Sequence, residues 1–130
     1  MAPKVKIENH AQNPAVSESL AERIKKDANR VEYEVDEVGR TIGVRKLHFL
    51  DFHRITLAMG EHSGNAAALA QAAATASVVS IDGDLVSMPT SHLQIEALMQ
   101  RLDMHGIAAA SRAAARFNDE DVNEEAVKNW

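Results

Sequence analysis

Six histidines, two closely spaced aspartates and a pair of arginines are the side chains in this 130-residue sequence whose types and spacing could do chemistry. Histidines suggest a metal. His48 and His53 are five residues apart, however, which on a helix sets them about 140° from each other. No His-Glu-x-x-His or comparable ligand pair occurs, so no zinc site or other metal or cofactor site is expected. No serine sits in Gly-x-Ser-x-Gly, and the chain lacks a P-loop, a Gly-x-Gly-x-x-Gly run and any cysteine. Asp82 and Asp84 flank Gly83, a pattern that forms turns more readily than a catalytic pair, and the remaining ligands of a Ca²⁺ loop are missing. No catalytic residue is therefore expected, and the chain is not read as an enzyme.

Arg112 and Arg116 raise a different chemistry. They lie on the second of two helical stretches that meet near Asp103–Gly106, an order compatible with a helix-turn-helix facing DNA. The second stretch, IAAASRAAARF, offers only Ser111 and these two arginines to base edges or phosphates. Residues 119–130 hold five acids against Lys128, a charge of −4, while residues 1–118 carry −1. An acidic segment beside the arginines repels a duplex over a Debye length of ~8 Å, so nucleic acid is not the expected partner.

The elements that carry these residues follow from periodicity. Residues 1–12 read as a polar, flexible start, and MAPKVKIENH lacks the apolar stretch of a secretory signal. Asn13-Pro14 resembles a helix start, and Val16, Leu20 and Ile24 mark a short amphipathic helix ending near Asn29. From Val31 the period falls to two: Val31, Tyr33 and Val35, then Ile42 and Val44, predict a β-hairpin over 31–47 with one apolar face. Its acids are expected opposite Arg45 and Thr41. Leu47 to Met59 predicts a helix closed by Gly60, with Phe49, Leu50, Phe52, Ile55, Leu57 and Met59 in its apolar band. Ser63 or Asn65 caps a helix over 65–79 in which eight of the residues 66–76 are alanine, the best helix former. That stretch is too short and too polar to cross a membrane.

Asp82-Gly83-Asp84 predicts a tight turn between short strands, and Pro89 ends it. Ser91 with Gln94 forms a capping-box pattern, opening a helix whose stripe is Ile95, Leu98, Met99 and Leu102. Ile107, Ala110, Ser111, Ala114 and Phe117 predict one more helix. Residues 118–130 are read as an acidic tail with at most one helical turn near Val122 and Val127. The fold class expected is α+β, predominantly α-helical: four to five helices, the hairpin and the turn, in a single globular domain over 13–117. The smooth alanine faces, with the stripe Ile95, Leu98, Met99, Leu102 continued by Met104 and Ile107, serve either as core or as a groove for a partner helix. Pattern alone leaves both readings open.

GRTIGVRKL (39–47), LDFHRITLAMG (50–60), SVVSIDGDLV (77–86) and PTSHLQIEALMQRLDMHGIAAA (89–110), in that order, resemble the tail assembly chaperones of long-tailed bacteriophages and prophages. The resemblance covers residues 31–117 and includes no catalytic residue. It implies a small, largely helical protein in the host bacterial cytoplasm, absent from the finished virion. Its implied partners are the tape measure protein, which it keeps soluble, and tail tube subunits that it helps recruit. A longer, frameshifted form of the same chain is a further implied partner, with Lys128-Asn129 encoded by a slippery adenine run; self-association is left open. The competing readings are another non-enzymatic tail or head–tail component and a helix-turn-helix regulator.

Overall fold

A computed structural model describes residues 19–22 and 30–128 of the chain, with side chains as far as Asn118. The chain divides into two compact units, Met1–Arg30 and Val31–Trp130. Of the first, Leu20–Glu22 form one helical turn opened by Ser19, whose Oγ accepts the Glu22 N–H at 3.1 Å. The rest of the helix expected over 14–28, and the start over 1–12, lie outside the described residues.

The second unit is mixed α+β, and most of it is helix. Strands β1 (Val31–Val35) and β2 (Thr41–Arg45) lead into helix α1 (Phe49–Met59), a 3₁₀ turn (Gly60–Gly64) and helix α2 (Ala66–Ser77). Strands β3 (Val78–Ile81) and β4 (Asp84–Leu85) follow, then helix α3 (His92–Lys128). The four strands form one antiparallel sheet in the order β1-β2-β3-β4. Among the described residues no helix is long and apolar enough to cross a membrane.

Local sequence explains the element ends. Asn65, not Ser63, caps α2: its side chain accepts the Ala68 N–H at 3.0 Å, while Ser63 belongs to the 3₁₀ turn. Asp82 and Gly83 make the β3–β4 turn with φ of 52° and 84°, which is why the small Asp-Gly pair stands there. Ser91 Oγ accepts the Gln94 N–H at 3.2 Å, and Gln94 Oε1 reaches back to the Thr90 N–H at 2.8 Å. The capping box thus closes one residue further out than the simplest pattern. The alanine-rich helix ends at Ser77, because Val78 and Val79 leave it to pair in the sheet.

The hairpin differs from expectation in its register. Val31, Tyr33 and Val35 stand opposite Arg45, Gly43 and Thr41, while Glu32 and Glu34 stand opposite Val44 and Ile42. The hairpin therefore has no shared apolar face: Ile42 and Val44, both fully buried, lie on the same face as the two glutamates. The loop enforces this. The Asp36 carboxylate accepts the Val38 N–H at 3.1 Å, the Arg40 N–H at 2.8 Å and Arg40 Nε at 2.8 Å, and Gly39 supplies a φ of 92°. A loop held this tightly sets the pairing, and a one-residue shift would move every side chain to the other face. Burial alone would raise the Asp36 carboxyl, but the hydrogen bonds and charge of Arg40, with the Val38 N–H, hold it below its ordinary 3.8.

The same Arg40 organises α3, which breaks at Asp103 (φ 58°, ψ −178°). Its guanidinium donates to the carbonyls of Arg101 (2.9 Å) and Leu102 (2.6 Å), satisfying groups that the end of the first helical segment leaves open. Asp103 Oδ1 accepts the Met104 N–H at 2.9 Å and starts the second segment. Gly106 is needed there: a Cβ would lie 2.9 Å from Leu102 Cβ and 3.2 Å from Arg40 Nη2. The helix then continues to Lys128, past the point near Phe117 where periodicity ends it.

Among the described residues two clusters make the core. One joins Ile42, Val44, Val78 and Ile81 of the sheet to Leu98, Leu102, Ala109, Ala110, Ala113 and Phe117 of α3. The other joins Ile55 and Met59 of α1 to Ala72 and Ala76 of α2 and Ile95 of α3. Complete burial of a side chain such as Ile42, Ile55 or Leu102 contributes about 1.5–3 kcal/mol. Alanines at the helix faces let the backbones come close.

Candidate partner-binding groove

The six residues proposed for partner binding do not form one surface. Ile95, Leu98 and Leu102 are 1%, 8% and 0% exposed, divided between the two core clusters. That part of the stripe is core, because the first segment of α3, before the break at Asp103, packs between the sheet and the α1–α2 pair. Met99 is half-buried against the α1–α2 cluster and Ile107 against the sheet cluster, whereas Met104 is exposed.

The alanine faces do form a surface. A groove of about 360 Å³ runs between α2 and the second segment of α3, walled by Ala70, Ala73, Ala74, Ala114 and Ala115. Phe52 of α1, Phe117 of α3, Arg45 and Lys46 also line it. Beside it α1 turns large apolar side chains outward: Phe49, Leu50 and Leu57 are exposed, and Phe52 is 46% exposed. Sequence reasoning placed these in an inward band. The missed signal is that apolar residues at 49, 50, 52, 55, 57 and 59 spread over about 220° of the helix, wider than the single stripe a surface helix buries. Only Ile55 and Met59 of α1 are buried.

Electrostatics at the base of α1 are local and structural. Asp51 accepts the His48 N–H at 2.9 Å and Arg45 Nη1 at 3.0 Å. Burial would raise its carboxyl, yet these bonds and the neighbouring charge hold it below its ordinary value. Among the described residues His48 Nε2 is buried without a hydrogen-bond partner. The other described histidines are dispersed: His62 and His92 stack with ring centres 5.1 Å apart, His92 Nδ1 lies 3.1 Å from Glu96, and His105 Nδ1 lies 3.2 Å from Glu37. Among the described residues no three His, Cys, Asp or Glu side chains converge to hold a metal ion.

Arg112 and Arg116 face β1. Arg112 Nε lies 3.4 Å from Glu34 Oε1, Arg116 pairs with Glu34 Oε2, and Arg116 Nη1 donates to the Tyr33 carbonyl at 3.1 Å. Both guanidinium groups are thus engaged by β1.

No protein-family model, curated protein or solved structure matches the chain.

Proposed function

We propose that the protein is a non-catalytic tail assembly chaperone of a long-tailed phage or prophage, acting in the host bacterial cytoplasm and absent from the finished virion. In this reading it holds apolar helical stretches of the tape measure protein, keeps them soluble and helps bring tail tube subunits to them. The observation that carries the reading is the alanine-walled groove beside the outward-facing Phe49, Leu50, Phe52 and Leu57. Large exposed apolar groups next to a smooth trough suit an amphipathic helix laid into a groove. The order of sequence phrases over 31–117 supplies the choice of partner.

Co-expression with a tape measure protein tests this. The tape measure is expected in the soluble fraction, and in pull-downs, only with the intact chain. Replacing the exposed groove residue Ala115 with Glu is expected to lose both while leaving the circular dichroism unchanged. A tape measure that stays soluble without the protein, or the protein's presence in purified virions, overturns the proposal.

A further inference from the structure

Among the described residues strand β1 is one edge of the sheet. The Asp36 N–H to Arg40 carbonyl bond and the Asp82 N–H to Thr41 carbonyl bond fix which groups face which way. With them, antiparallel alternation turns the N–H and C=O groups of Val31, Tyr33 and Val35 away from β2. An edge of this kind is a template for another strand unless something covers it. Here two arginines do so. Arg116 donates to the Tyr33 carbonyl at 3.1 Å and Arg112 reaches the Val35 carbonyl at 3.4 Å, while both guanidinium groups face the Glu34 carboxylate.

We propose that the outer edge of β1 is a strand-docking site held closed by Arg112 and Arg116, and that its occupant is an extended segment alternating basic and apolar side chains. The guanidinium groups stand where such a strand's donors would stand. The strand's N–H groups would take over the Tyr33 and Val35 carbonyls, and its basic side chains would face Glu32 and Glu34. Its apolar side chains would fall beside Tyr33 and Val35, each 58% exposed on the opposite face of the sheet. A second copy of β1 fits badly. Outward-facing residues must pair with outward-facing residues, so every antiparallel register that overlaps three or more residues of β1 sets Glu against Glu, a destabilising arrangement. Because the site lies on the strand edge and not in the groove, it stands or falls independently of the chaperone reading.

The test uses the full chain and a capped synthetic peptide, Lys-Val-Lys-Val-Lys, matched to the five residues of β1, with Glu-Val-Glu-Val-Glu as control. Bound lysine peptide is expected to slow hydrogen exchange at the Tyr33 and Val35 amides, and the glutamate peptide is expected to leave them unchanged. Arg112→Gln with Arg116→Gln is expected to tighten lysine-peptide binding about tenfold by opening the edge. Val35→Pro in the otherwise unaltered chain removes one outward N–H without touching the β2 pairing, and is expected to weaken binding. If the double variant fails to fold, the exchange measurement and Val35→Pro still decide the matter. Equal binding of both peptides, or no protection of these two amides, overturns the proposal. So does self-association of the double variant through β1, which would make a second copy the occupant.

Discussion

Helix α1 and the second segment of α3 invert the usual relation between side-chain size and burial. In α3 the smallest apolar residues, Ala109, Ala110 and Ala113, are wholly buried against the sheet, and arginines pin the helix over the strand edge. In α1 some of the largest, Phe49, Leu50 and Leu57, point outward while Ile55 and Met59 hold the helix to the core. A helix can approach a sheet closely only where its side chains are short, so alanine marks the tight joint. Large exposed side chains gain nothing for the fold of the isolated chain. The difference separates a part of the molecule whose apolar groups are spent on its own packing from a part that leaves large apolar groups on the surface.

Arg40→Ala should do the greatest damage to the tight side of this contrast. It strands the fully buried Asp36 carboxylate and uncaps the carbonyls of Arg101 and Leu102. A loss of about 3 kcal/mol is expected in urea unfolding, because removing one partner of a buried pair leaves an uncompensated charge. That pin on Asp36, with the Arg45 and His48 bonds on Asp51, sets the acid limb of stability. The folded chain holds Asp36 and Asp51 below 3.8, so between that value and their lower folded values the unfolded state binds more protons. Their contribution is complete above the ordinary carboxylate range and drains away as pH falls below about 3.8. Asp36→Asn should flatten that limb in an acid titration followed by circular dichroism.

Ala113→Leu asks whether the alanine joint is a requirement of packing. Inserting a branched side chain where exposure is 0% should cost about 2 kcal/mol by overpacking, read as a lowered urea midpoint. A cost near zero would mean that the helix and sheet can separate, and the contrast with α1 would collapse. The smallest change is expected on the other side. Phe49→Ser with Leu57→Ser should shift stability by no more than about 0.5 kcal/mol, while partner capture falls sharply. If thermal denaturation instead shows a large loss, those side chains belong to the fold after all.

Much of this architecture was legible in local sequence: strand segments at 31–35 and 41–45, the turn at Asp82-Gly83, the Asn65 and Ser91 caps, and the alanine faces. Each depends on a backbone preference or a cap that acts within a few residues, so neighbouring side chains carry the information. The alanine groove was legible as a pair of faces, but not its Phe52 lining or the outward turn of α1. So wide an apolar band does not say which part of it the rest of the molecule will cover.

What the chain alone determined, then, was the kind and order of its elements and the smoothness of the surfaces they present. Only the tertiary structure decided that Tyr33 faces Gly43 rather than Ile42, that Arg40 clasps the broken helix sixty residues away in sequence, and that Arg112 and Arg116 guard a strand edge. The physical reason is the range of the forces. Propensity and capping act between near neighbours, whereas register, burial and ion pairing are settled by contacts that exist only once distant segments have met.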